Sequence, residues 1–176
     1  MNAKTVERRP AKTVEMLAGA LLIAFTATVP LLSLFLLLVI VITGALVTYA
    51  YIVRHQVPLS YKEAFRFGAL TAFIGGVLTV LVEYLLIKVF GYNPSIEKIR
   101  LLTEMARTLP PADALKFKDM LSIASGVPAE YSFVDLLLSM PLVGIFFAPF
   151  SGLGARLSVY ILKRQARRSA PPVTRP

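Results

Sequence analysis

Between Glu15 and Arg54 the chain carries no charged residue, so Met16 to Val53 forms an apolar run of 38 residues. A helix crosses the hydrocarbon core of a bilayer in about 20 residues, and one straight helix of this length would rise roughly 57 Å, nearly twice the core thickness. The run therefore reads as two spans. The break falls at Thr28-Val29-Pro30, because proline removes a backbone donor and biases the preceding residue away from helical geometry. This places span one at about 12–29 and span two at about 31–53, joined by a tight hairpin without charge.

Composition agrees with lipid as the solvent. Of 176 residues 56% are hydrophobic and only 16% charged, against roughly 25% charged in an average soluble domain, and the mean hydropathy is +0.70. Cysteine is absent, which excludes disulfides, thiolate metal sites and a cysteine nucleophile. A third span is expected over about 61–90. Ser60-Tyr61-Lys62-Glu63 is a capping box that would open it, and Gly91 with Asn93-Pro94 would end it. The stretch Phe133 to Leu162 holds Asp135 near its start and Arg156 near its end. It is too short for two crossings and too long for one upright helix, so a single tilted or kinked span at about 132–163 is expected. Pro141, Pro149 and the pair Gly152/Gly154 are its candidate bend points.

Between spans three and four, residues 94–126 suggest two short amphipathic helices. The first runs to about Thr108 with a stripe of Ile96, Ile99, Leu102, Met105 and Leu109, and Pro110-Pro111 breaks it. The second spans Pro111 to Ser125, carries Leu115, Met120, Leu121 and Ala124, and stops at Gly126. Such helices lie at the membrane interface, cap the bundle or pack only on each other. The expected fold is an all-α integral membrane four-helix bundle with these two helices in its long loop. A basic arm (1–11) and a basic tail (164–176) flank the single transmembrane domain (12–163).

The formal net charge of +9 sorts by membrane side. The arm with the first helix start, the loop between spans two and three, and the tail carry all of it, while the long loop nets zero. Lysines and arginines number 12 on the first side and 5 on the other. Cationic residues favour cytoplasmic segments, so both termini are expected in the cytoplasm. A cleaved signal peptide fits poorly, since the apolar run far exceeds a signal's core and Phe25-Thr26-Ala27 is a poor cleavage site. Lys163, Arg164, Arg167 and Arg168 are expected to meet anionic headgroups. With no aromatic residues interleaved for base stacking, the tail does not read as a nucleic-acid binder.

Helices in lipid associate through close backbone approach at small residues. Gly68, Ala72 and Gly76 on span three and Gly144, Ala148 and Gly152 on span four mark such faces, for packing on each other or for homo-oligomerisation. Glu83 lies roughly 25 Å along the helix from Arg66, in the half of the bilayer away from the cytoplasm. An intramembrane carboxylate is a candidate protonatable site. Otherwise Glu83 and Asp135 are satisfied by Lys88 or loop cations, or Glu83 accepts from a tyrosine such as Tyr131. Arg156 is expected to snorkel to the cytoplasmic headgroups. His55, the one histidine, reads as a cytoplasmic loop residue too far from Glu83 or Asp135 to work with them. No nucleophile elbow surrounds Ser151, whose flanking positions hold Pro149 and Leu153, and no metal-ligand cluster or phosphate-cradling loop is evident. No catalytic residue, metal or cofactor is expected.

The stretch from Val57 to Gly68 (VPLSYKEAFRFG) resembles a segment of a family of small bacterial membrane proteins, the domain of unknown function 4199 family. The likeness extends more loosely to two amino-terminal spans, a methionine-containing outer segment and a last span ending in Lys163-Arg164. It implies a bacterial inner-membrane location, and the family has no assigned activity from which site residues could be carried over. The leading expectation is a non-catalytic structural, accessory or interaction component with a membrane-protein partner or a second copy of itself. The alternative is an oligomeric transporter or channel subunit using Glu83.

Overall fold

The computed structural model describes residues 12–107 and 132–169. Within them the fold is entirely helical: α1 (Thr13–Thr28), α2 (Pro30–Ser33), α3 (Leu36–His55), α4 (Tyr61–Phe90), α5 (Pro94–Ala106) and α6 (Phe133–Ser169). Three helices are long and apolar enough to cross a membrane, Leu36–His55, Tyr61–Phe90 and Phe133–Ala166, with mean hydropathies of 2.5, 2.1 and 2.0. At 16 residues, α1 is apolar but shorter.

The first apolar run divides at two places, at Val29 and at Phe35. Val29 is extended (ψ 117°) ahead of Pro30, which opens the single turn α2, as the clash of proline with its predecessor requires. The chain leaves that turn through Leu34 and Phe35, so the second long helix starts at Leu36 instead of Leu31 and continues to His55. Ser33 Oγ donates to the Pro30 carbonyl at 2.7 Å, closing the turn on itself. The final helix is continuous through Pro141 and Pro149 and runs on to Ser169, so Arg164 to Ser169 of the basic tail are helical.

α4 begins at a complete capping box. Ser60 Oγ accepts from the Glu63 amide at 3.2 Å, and Glu63 Oε2 accepts from the Ser60 amide at 2.9 Å and its hydroxyl at 2.8 Å. Its last turn closes on Gly91, left-handed at φ 65°, the conformation glycine adopts without a Cβ penalty. The buried positions Ala64, Phe67, Gly68, Thr71, Ala72, Gly75, Gly76, Thr79 and Val80 recur at helical spacing along one face.

The four longer packed helices follow one another around the molecule as α1, α3, α6 and α4, the most extensive contact being that between α4 and α6. Two apolar clusters fill the middle. One joins Val47, Tyr51, Leu59, Phe67, Ala155 and Val159. The other, toward the α1–α3 hairpin, joins Ile23, Ile40, Ala72 and Phe147. α5 folds back across α2 at the hairpin end, burying Pro94 and Ala106. Of the expected apolar stripe on α5, Ile99 and Leu102 are half-buried, whereas Ile96 is 53% and Met105 50% exposed. Proline at the first helical position and Asn93 as cap fix the start of α5. The expected second loop helix (111–125) and Leu109 lie outside the described residues.

Candidate functional site

The charged groups inside the molecule gather at its two ends. At the end away from the hairpin, Glu15 on the first turn of α1 is buried, 7% exposed. A buried carboxylate is costly unless paired. Its Oε1 lies 3.1 Å from His55 Nε2 and 3.4 Å from an Arg54 guanidinium nitrogen. Arg54 is 67% exposed, which leaves His55, at 22%, as the sheltered partner. The His55 ring leans on Tyr51 at 5.0 Å, and Tyr51 on Phe67 at 5.3 Å. Lys12 Nζ stands 5.6 Å from the Tyr51 centroid and 5.7 Å from that of Phe67, within cation–π range. His55 is thus the last residue of α3 and packed inside, not a loop residue. Glu15 belongs to the same cluster.

From this cluster a polar seam runs into the bundle. Thr48, Thr43 and Ser151 are buried, and their hydroxyls, with Glu15 Oε2, have no hydrogen-bond partner among the described residues. Thr71 and Thr79 instead donate to the carbonyls of Phe67 and Gly75, each at 2.9 Å.

At the hairpin end, Glu83 Oε1 accepts from Lys98 Nζ at 3.1 Å, the two side chains being 16% and 23% exposed. This pair ties α5 to α4. It also lines a cavity of about 580 Å³ whose other walls include Leu36, Val80, Leu142, Val143 and Phe147. A smaller cavity of about 60 Å³, reaching Tyr84, Leu136 and Ser139, shares Val80, Glu83 and Val143 with it.

The three residues read from the sequence as one intramembrane polar site are not brought together. Lys88 is exposed, and five residues along a helix from Glu83 it falls on a different face. Asp135 is exposed at the start of α6, where its carboxylate accepts from the Ser132 amide at 3.1 Å. Its role is to cap that helix. Tyr131 lies outside the described residues. Arg156 sits with its guanidinium 5.6 Å over the Phe65 ring.

The small residues lie at the α4–α6 crossing. A Cβ on Gly76 would stand 2.7 Å from Gly144 Cα, one on Gly68 2.6 Å from the Ser151 carbonyl oxygen, and one on Gly152 2.6 Å from the Phe65 ring. Ala72 is fully buried and Ala148 half-buried. Of the basic residues near the end of α6, Lys163 Nζ lies 4.3 Å from the Tyr61 centroid, and Arg164 joins it beside Tyr160 in a polar recess. Arg168 is exposed, and the side chain of Arg167 lies outside the description.

Sequence reasoning reached Lys98 only as one of several loop cations that could satisfy Glu83, and missed the pairing of Glu15 with His55. Two signals were present: Glu15 and His55 lie about twenty residues on either side of Phe35, which an antiparallel hairpin sets opposite each other; and the left-handed Gly91 turns α5 back over the end of α4. Comparison of the chain with family models, with curated proteins and with solved structures finds no match.

Proposed function

We propose that this chain is a four-span protein of the bacterial inner membrane, with both termini cytoplasmic, and that it acts as a non-catalytic accessory or interaction component. The observation that supports this is an inside-out distribution of side-chain size and polarity. Of the nine buried positions among the described residues of α6, six are small (Gly144, Ser151, Gly152, Gly154, Ala155 and Ser158) and three are large (Leu136, Phe147 and Val159), while Leu138, Leu142, Ile145, Phe146, Leu153 and Leu157 are each more than half exposed. A soluble helix turns its large apolar residues inward. Lipid reverses the demand, because hydrocarbon solvates leucine and phenylalanine as well as a core does and helices then approach through small residues. In this reading α1 crosses with the other three. Its 16 residues rise roughly 24 Å, a shortfall that local thinning of the bilayer accommodates.

The Glu83–Lys98 pair favours the accessory reading over transport. A carboxylate already engaged by an ammonium of the neighbouring helix at 3.1 Å suits a structural tie between α4 and α5 better than a carrier site. Ion and proton flux into liposomes carrying the purified protein tests this. The accessory reading expects flux no greater than in empty liposomes. Flux in the wild type that disappears with Glu83→Gln would replace it with the transporter reading.

A further inference from the structure

The cavity beside Glu83 and Lys98 has the polarity of an amphiphile. Its volume of about 580 Å³ falls within the roughly 300–1,000 Å³ of small-molecule sites. Away from the charged pair its walls are aliphatic and aromatic, and the one hydroxyl among them, Thr79 Oγ1, is already spent on the Gly75 carbonyl. The cavity is therefore lined by apolar side chains except for one charged pair.

The cavity adjoins an apolar surface groove. Leu36, Phe146 and Phe147 also line a groove of about 480 Å³ that runs along Ser33 to Leu38. The rim is apolar: Leu38, Ile145 and Phe146 are each more than half exposed. A water-soluble ligand would have to cross that apolar rim, whereas a bilayer component reaches it by lateral diffusion.

The charged pair selects among amphiphiles. Glu83 and Lys98 together are neutral, each with hydrogen-bonding capacity beyond their one mutual bond. An anionic headgroup meets attraction from Lys98 and repulsion from Glu83. A cationic one meets the reverse. A zwitterionic headgroup can set its phosphate against the ammonium and its own ammonium against the carboxylate, so that every charge has a counterpart.

We propose that this cavity binds one zwitterionic phospholipid, with an acyl chain against the apolar walls and the phosphate and ammonium groups at Lys98 and Glu83. The site rests on the membrane reading above and lies at the opposite end of the molecule from Lys163 and Arg164.

Native mass spectrometry of the full-length protein, released from vesicles of equal parts phosphatidylethanolamine and phosphatidylglycerol, tests it. One phosphatidylethanolamine should stay on each chain in preference to phosphatidylglycerol. Lys98→Ala should reduce that retention about tenfold, the worth of one hydrogen bond to a charged group. Val143→Phe, which fills the cavity from α6, should abolish retention; Ala27→Leu does so from α1 should that variant fail to fold. Equal retention of the two lipids, no retained lipid, or undiminished retention in the filled variants overturns the proposal. Carbonate washing of the source membranes separates the two readings. Release of the chain by carbonate contradicts membrane integration itself, whereas a chain that stays in the membrane yet retains no phosphatidylethanolamine contradicts only the lipid site.

Discussion

Gly76→Ala probes a close approach of α4 and α6 at which the three nearest atoms are all backbone. The added Cβ would lie 2.7 Å from Gly144 Cα, 2.8 Å from its amide nitrogen and 2.9 Å from the Val143 carbonyl carbon. Carbon atoms prefer about 3.5–4.0 Å, so α4 and α6 must separate there by about 1 Å. Overpacking of this kind costs about 1–3 kcal/mol. The rigid neighbours place Gly76 in the upper half, about 2–3 kcal/mol, with the dispersion lost along the crossing included. Alanine regains about 1 kcal/mol of helix propensity over glycine, leaving a net loss of about 1–2 kcal/mol. Gly152→Ala is the control, since the three nearest atoms its Cβ would meet all belong to the Phe65 ring. A ring can swing at about 0.5–1.5 kcal/mol, which the same propensity gain offsets to nearly zero. Reversible unfolding in mixed detergent, followed by circular dichroism, reads both variants against wild type. If Gly152→Ala is as destabilising as Gly76→Ala, or if Gly76→Ala is neutral, backbone contact between α4 and α6 does not limit the packing.

His55→Ala should destabilise the protein by about 2 kcal/mol in the same assay, because it leaves the buried Glu15 carboxylate short of its sheltered partner. Arg54→Ala should cost less than about 1 kcal/mol, as expected for a largely exposed ion pair. Ser60→Ala removes the hydroxyl of the capping box and should cost about 1 kcal/mol, with faster amide exchange confined to the first turn of α4. Gly91→Ala should cost about 1 kcal/mol or slightly more through its left-handed backbone alone, since nothing stands within 4 Å of the site of its Cβ. A Gly91→Asn variant that is no more stable than Gly91→Ala would contradict that cause.

What the sequence made legible was local. The capping box at Ser60 and Glu63 and the glycine at position 91 act on neighbours in the chain, so their residue types carry the geometry. The interior charges were less legible because their partners are long-range. Lys88 was the nearest cation to Glu83 in the chain, yet helical periodicity points it elsewhere, and the partner proved to be Lys98, fifteen residues on across a turn. Glu15 and His55, 40 residues apart, meet only when the register of the hairpin is known. That register depends on α2 and the break at Phe35. Pro30 announced a break at Val29, but no charge, glycine or proline marks the second break among Leu34, Phe35 and Leu36.

The central claim is that the helices cross a bilayer with the Glu15 end and both termini in the cytoplasm and α5 on the opposite face. The chain has no cysteine, so single cysteines report cleanly on their own positions. Labelling of intact cells with a membrane-impermeant maleimide should modify Ser95→Cys, while Lys62→Cys and Ser169→Cys should react only after the membrane is opened. Reaction of Ser169→Cys from outside intact cells would contradict the orientation.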